Sequence, residues 1–278
     1  MARPDKPMPP TDNLSQETIA RLRRIRHVVL DLDGTIYCGN ALYEKTAPFF
    51  DILASLGITF SLLTNNSSRS AEDYLAKFST MGLRIEKEQL YTSVLFAADY
   101  LKTALPDIKK IFVLGTESMK RELCRMGFEV VSSRPDAVIA GYDTELSYEK
   151  LCRAAYWISR GAAFVSTHPD RFCPTDIPEL LPIDCGWFTD FLQQVTGRKS
   201  IILGKPCAEI LCSALKKYGL TPGEAAMAGD RYDTDVALAI NAGAFSVHIN
   251  SASQEHRPAP DITVPNLLAF GHILKNHG

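Results

Sequence analysis

Along most of this chain, uninterrupted apolar runs alternate with amphipathic stretches, and small polar residues gather where one gives way to the other. Val28-Val29-Leu30-Asp31-Leu32-Asp33-Gly34-Thr35 has an apolar start without polar interruption, the pattern of a parallel strand buried on both faces. Before it, Ser15 predicts the cap of a short helix carrying Ile19, Leu22 and Ile25, and the Pro-rich, polar residues 1–13 are expected to form a disordered tail. After it, Phe49, Ile52, Leu53 and Leu56 predict a helix ending at Gly57, and Ile58 to Leu63 a second strand. Strand, helix, strand with short joints is a βαβ unit, which puts the two strands side by side and parallel. A helix with Tyr74, Leu75, Phe78 and Met81 follows Thr64-Asn65-Asn66-Ser67-Ser68.

The alternation restarts at about Ser93, with strands expected at Ile111–Leu114, Ala137–Ala140 and Ala163–Ser166 and helices at Ser118–Met126 and Tyr148–Ser159. His168 to Asp184 then carries prolines 169, 174, 178 and 182 and excludes regular structure, as a lid or binding loop would. Ile201-Ile202-Leu203-Gly204-Lys205-Pro206 reads as a short strand ending in a lysine, followed by a helix from Ala208 to Tyr218. Ala225 to Ala228 leads into Gly229-Asp230-Arg231-Tyr232-Asp233-Thr234-Asp235, a helix runs through Ala237 and Ile240 to Gly243, and Phe245–Ile249 is the expected last strand. The fold class is therefore α/β: a doubly wound parallel sheet with acidic, hydroxyl or lysine residues at the carboxyl ends of four strands, and a second α/β unit within it.

Composition narrows the partners. With 278 residues, 46% hydrophobic and 22% charged, the chain can bury one large core or two modest ones. A formal charge of -2 and a pI near 6.3 exclude recruitment of nucleic acid or an anionic membrane by bulk charge. No apolar run approaches the roughly 20 residues of a membrane span, and the polar start lacks the apolar core of a signal peptide, so a cytoplasmic protein is expected. The seven cysteines are scattered without a CxxC pair, which suggests neither a disulfide framework nor zinc, and most are expected to be small core residues.

Two stretches bear chemistry on their residues alone. Asp31 and Asp33 share one side at a strand's carboxyl end, and two carboxylates so close call for a cation or a shared proton. Thr64-Asn65-Asn66-Ser67-Ser68 reads either as a phosphate cradle of side-chain and backbone donors or as ordinary helix capping by Ser67 or Ser68. The basic cluster Arg21, Arg23, Arg24 and Arg26 reads as a solvated helix face.

In combination, Asp-x-Asp-Gly-Thr, Thr-Asn-Asn, Gly-Lys-Pro and Gly-Asp-x-x-x-Thr-Asp, in that order from Asp31 to Asp235, resemble the four motifs of the haloacid dehalogenase superfamily of aspartate-dependent phosphohydrolases. The Thr64-Asn65-Asn66 form, Gly204-Lys205-Pro206 and the long α/β insert look like its NagD-type branch. The resemblance implies a Rossmann-like core over residues 14–92 and 199–278 and a cap over residues 93–198. It implies a Mg²⁺-dependent phosphatase of a small phosphorylated metabolite, with Asp31 as nucleophile forming an aspartyl-phosphate and Asp33 as the acid and then base. Metal ligands would be the Asp31 carboxylate, the Asp33 backbone carbonyl and the Asp230 carboxylate, with Asp235 behind them orienting metal-bound water or pairing with Lys205. Thr64, Asn65, Asn66 and Lys205 would hold the phosphoryl group. Dimerisation through the cap is common in that branch. A non-catalytic phosphometabolite-binding protein on the same fold is the other reading. Substrate choice falls to the cap loop, where His168, Asp170, Phe172 and Trp187 are candidates; Phe172, Trp187 and Phe188 would either stack on a ring or pack the cap's underside.

Overall fold

The computed structural model describes residues 14–175, 177–249 and 258–278. The tail expected at residues 1–13 lies outside them. The chain divides into two compact units, Met1–Leu63 with Pro206–Gly278, and Thr64–Lys205.

In the first unit, helix α1 (Gln16–Leu22) starts at Ser15, whose hydroxyl accepts the Thr18 N–H. Arg21 on this helix ties down the chain's far end rather than merely facing solvent: it pairs with Asp261 and donates to the Ala244 carbonyl at 2.8 Å. Strand β1 (His27–Leu30) is buried throughout, as its unbroken apolar run requires. A two-rung hairpin, β2 (Tyr37–Cys38) and β3 (Ala41–Leu42), occupies the connection to helix α2 (Thr46–Ser55). Strand β4 (Thr59–Thr64) returns parallel to β1, with Leu30 opposite Leu62. From the second chain segment come helix α8 (Ala208–Lys216), strand β11 (Ala225–Gly229), helix α9 (Ala237–Ala242) and strand β12 (Phe245–Ile249). The expected last strand is not the last. Strand β13 (Ile262–Val264) pairs with it, and helix α10 (Leu267–His277) packs on α2. A three-residue strand with one exposed position is too short to carry a period.

The strands of this unit run β13-β12-β11-β1-β4, all parallel. From β1 the chain proceeds to β4 on one side, whereas β11 lies on the other. A crevice is thereby opened at the carboxyl ends of β1 and β11, the topological switch point at which open α/β sheets bind ligands.

The second unit begins with helix α3 (Ala71–Thr80), strand β5 (Leu90–Thr92) and helix α4 (Ser93–Ala104). Its own parallel sheet is built from β6 (Lys110–Leu114), β7 (Glu129–Val130), β8 (Ala137–Ala140), β9 (Ala163–Ser166) and β10 (Ile201–Ile202), in the order β10-β9-β8-β6-β7. Helices α5 (Glu117–Arg125), α6 (Tyr148–Ser159) and α7 (Cys185–Thr196) complete it. Phe112, Leu114, Val138, Ile158, Phe164, Phe188 and Leu192 form its core.

Two differences from the expected pattern bear on the site. Ile201–Ile202 belongs to this second sheet, paired parallel with Val165 and Ser166, and not to the first sheet's active edge. Two residues carry no mark of which sheet they join. Trp187 and Phe188 stand on α7 rather than on a loop, because Asp184 caps that helix as soon as the prolines end, accepting the Cys185 N–H at 2.6 Å. The cysteines also depart from expectation: of the seven, only Cys185 is buried, whereas Cys38, Cys124, Cys152 and Cys212 are exposed.

Candidate active site

Asp31 leaves β1 at its carboxyl end with its N–H bonded to the Ala228 carbonyl of β11 at 2.9 Å. That bond puts Asp31 beside Asp230, which follows the end of β11. Carboxylate oxygens of Asp31, Asp230 and Asp235 lie within 4.8 Å of one another. Asp31 and Asp235 are buried and Asp230 is half-buried. Gly34 makes this approach possible: its φ of +90° is open to glycine, and a Cβ there would meet Asp230 Oδ2 at 2.3 Å. Asp235 is oriented by the Arg231 N–H at 3.0 Å, inside a π-helical turn over Tyr232–Val236. The Thr35 hydroxyl, buried, lies 3.3 Å from Asp31 Oδ2 and 3.5 Å from Asp230 Oδ1. The motif contained Thr35, yet nothing in its residue type announced that it would bridge two distant carboxylates.

Asp33 stands outside this carboxylate cluster, and its Oδ2 accepts the Tyr37 hydroxyl at 3.1 Å. The turn after β1 sets it there, with the Gly34 N–H on the Tyr37 carbonyl and the Ile36 N–H on the Leu32 carbonyl.

Three carboxylates this close repel strongly in a partly buried site, and their donors are all hard oxygens. Such a set fits a small divalent cation with oxygen preference, and the space the Gly34 hydrogen leaves beside Asp230 belongs to the same cradle.

In the second unit, Thr64, Asn65 and Ser67 are buried. The Asn66 N–H bonds to Thr64 Oγ1 at 3.1 Å, and Asn66 Oδ1 accepts both the N–H and the hydroxyl of Ser68. The helix after this loop is capped by Ser70, with Asp73 completing a capping box, and not by Ser67 or Ser68. Ser67 instead accepts the Tyr142 N–H at 2.8 Å and the Thr167 hydroxyl at 3.2 Å. Lys205 is buried, its N–H on Asn65 Oδ1 at 2.7 Å.

Of the cap-loop candidates, His168 is fully buried and is no exposed imidazole. Its Nε2 is hydrogen-bonded to Asp184 Oδ1 at 2.9 Å and its Nδ1 to Thr167 Oγ1 at 2.9 Å. Asp170 is buried too, next to Asn65 Nδ2 at 3.3 Å. Phe172 and Trp187 are both more than a third exposed and meet edge to face at 6.1 Å, with the Arg171 guanidinium over the Trp187 ring. Phe188 packs into the core of this unit. Burial and the Asp184 carboxylate push the Cys185 thiol up to about 12, so it is no nucleophile at neutral pH.

Strand order, switch-point crevice and clustered carboxylates define a Rossmann-like α/β protein with an acidic candidate site. The chain belongs to the haloacid dehalogenase-like hydrolase family, in its NagD-like branch: one model of that family matches residues 28–129, and a second, HAD-hydrolase-like, matches residues 202–269. An acid sugar phosphatase of Staphylococcus aureus is 32% identical over 250 residues, covering 90% of this chain and 95% of the relative. The 4-nitrophenylphosphatase of Thermotoga maritima superposes with a TM-score of 0.84 at 31% identity, over 91% of this chain and 98% of that one. NagD of E. coli K-12 gives 0.78 at 27% identity, over 88% and 97%. Among the described residues, no helix is long and apolar enough to cross a membrane.

Proposed function

We propose that this protein is a phosphatase hydrolysing monoesters of small phosphorylated metabolites, with a Mg²⁺ ion as cofactor. The observation that carries the reading is the cluster of Asp31, Asp230 and Asp235 at the switch point, one strand end of which also bears Asp33. Relatives named as an acid sugar phosphatase and a 4-nitrophenylphosphatase support the class of substrate. Hard oxygen donors favour Mg²⁺, and in this reading the Asp31 and Asp230 carboxylates and the Asp33 backbone carbonyl hold it, with Asp235 behind them. When bound, the ion neutralises charge on the phosphate and on Asp31 that would otherwise keep them apart.

The residues then divide the work. An Asp31 carboxylate oxygen attacks phosphorus as the ester P–O bond breaks, leaving an aspartyl-phosphate. Asp33, held by Tyr37, gives its proton to the departing alkoxide. In the second half, Asp33 takes a proton from water, which attacks phosphorus, breaks the bond to Asp31 and releases inorganic phosphate. The Thr64 hydroxyl, the N–H groups around Asn65 and Asn66 and the Lys205 ammonium bind the phosphoryl oxygens. Residues 14–92 and 199–278 serve as the core in this proposal and residues 93–198 as the cap, where Asp170, Phe172 and Trp187 border the leaving group and the buried His168 supports their loop. In this reading the protein works in the reducing cytoplasm, where its seven cysteines stay thiols.

The test is hydrolysis of 4-nitrophenyl phosphate with and without Mg²⁺. Turnover that needs the metal and disappears in Asp31→Asn is the expected result. Pure wild-type protein without turnover, or an Asp31→Asn variant as active as wild type, overturns the reading and favours a binding protein.

A further inference from the structure

Asn65 sits in the stretch read from sequence as a phosphate cradle, yet its carboxamide is engaged elsewhere. Its Oδ1 accepts the Lys205 N–H at 2.7 Å, and its Nδ2 donates to the Lys205 carbonyl at 3.0 Å. The same Nδ2 reaches Asp170 Oδ1 at 3.3 Å. A carboxamide has two N–H donors, and both are used, so none remains for a phosphoryl oxygen. Asn65, Lys205 and Asp170 are all buried, a setting in which an unmade bond would be expensive. The backbone on each side is fixed as well: the Ser93 hydroxyl donates to the Asn65 carbonyl at 2.6 Å, and Gly204 has a φ of +77°. A Cβ on Gly204 would meet the Thr167 carbonyl at 2.6 Å and Asn65 Oδ1 at 2.8 Å. Only glycine at 204 lets the chain pass this close to the Asn65 side chain, which then takes both backbone polar atoms of Lys205. The whole arrangement lies within one compact unit.

We propose that Asn65 is a positioning residue for Lys205, clamping its backbone at both polar atoms, and that Asp170 braces the clamp. The inference rests on the proposed reading of Lys205 as the cation facing the phosphoryl group. A long, flexible lysine delivers charge accurately only when its Cα is held, and a misplacement of about 1 Å is enough to lower a rate on the order of 10²-fold. The clamp acts in the transition state, so its loss lowers kcat and leaves KM nearly unchanged.

The test combines Asn65→Ala, Lys205→Met and the double variant, assayed on 4-nitrophenyl phosphate with Mg²⁺, with hydrogen exchange at the Lys205 amide. Asn65→Ala is expected to lower kcat roughly 30- to 100-fold with KM within about threefold, and to change kcat less than about threefold in the Lys205→Met background. Exchange of the Lys205 amide is expected to quicken at least about tenfold. Multiplicative losses in the double variant, or unchanged amide protection, overturn the proposal. If Asn65→Ala does not fold, the isosteric Asn65→Asp is read instead; it keeps the acceptor for the Lys205 N–H and sets an oxygen against the Lys205 carbonyl and Asp170. Wild-type protein inactive on 4-nitrophenyl phosphate would remove the phosphatase reading, and amide exchange alone then decides whether the clamp exists.

Discussion

His27, at the start of β1, makes the stability of the first unit depend on pH. The ring is fully buried, with Nδ1 2.7 Å from Thr59 Oγ1, Nε2 2.9 Å from Ser61 Oγ and the Tyr218 ring 4.3 Å away. Burial first, and then the Lys217 ammonium, lower its pKa from 6.5 to about 4. The folded state therefore binds this proton more weakly than the unfolded chain. Stability from this group is complete above the unfolded value of 6.5 and is lost as pH falls toward about 4. At about 1.36 kcal/mol per unit, the full shift is worth about 3 kcal/mol, of which about 2 kcal/mol is lost between pH 7 and pH 5. The ring resonances of His27 should titrate with a midpoint near 4, and urea unfolding of wild type should weaken across that interval by about 2 kcal/mol more than unfolding of His27→Gln. A midpoint near 6.5, or parallel pH profiles for the two proteins, would refute the reasoning.

Three further outcomes follow from the geometry. Gly34→Ala forces a Cβ onto the Asp230 carboxylate and a side chain into left-handed backbone, so turnover should fall at least about 10²-fold with a stability loss of about 1–3 kcal/mol; kinetics within threefold of wild type would show that Asp230 need not lie there. Chelation with EDTA should abolish hydrolysis of 4-nitrophenyl phosphate and added Mg²⁺ restore it, whereas Asp230→Asn should demand far more Mg²⁺ for half-maximal rate; metal-independent turnover would deny the carboxylate cluster its role. Asp143, buried, holds the Lys150 ammonium at 3.0 Å, so Asp143→Asn should cost about 2 kcal/mol in thermal unfolding of the second unit, and an unchanged melting temperature would contradict the pairing.

Much of the scaffold could be read from periodicity alone. The strands Ala137–Ala140, Ala163–Ser166 and Phe245–Ile249 and the helix Tyr148–Ser159 stand where their apolar spacing puts them. Each is either long enough to show its period or apolar enough to demand burial on both faces. The misreadings fall on elements that lack these marks. β10 has two residues and β13 three, and α7 is hidden by a proline run that stops two residues before its cap. Cysteine misled because its average burial says nothing about helix faces that look outward, where Cys124, Cys152 and Cys212 lie.

At the site the division is sharper. Sequence by itself marked the residues to expect at the site, because short motifs at strand ends offer particular donors: carboxylates after β1 and β11, a hydroxyl on the last residue of β4 with amides after it, a lysine beside a glycine. Their partners were decided only by tertiary structure. Parallel pairing of β1 with β11 brings Asp31 to Asp230 across 199 residues of chain, and Thr35 between them. The Asn65 carboxamide finds the Lys205 backbone 140 residues away, and His168, a substrate candidate by its place in the loop, is buried on Asp184. A side chain's bonding capacity is written in its residue type, but which partner satisfies it depends on what the fold brings within about 3 Å.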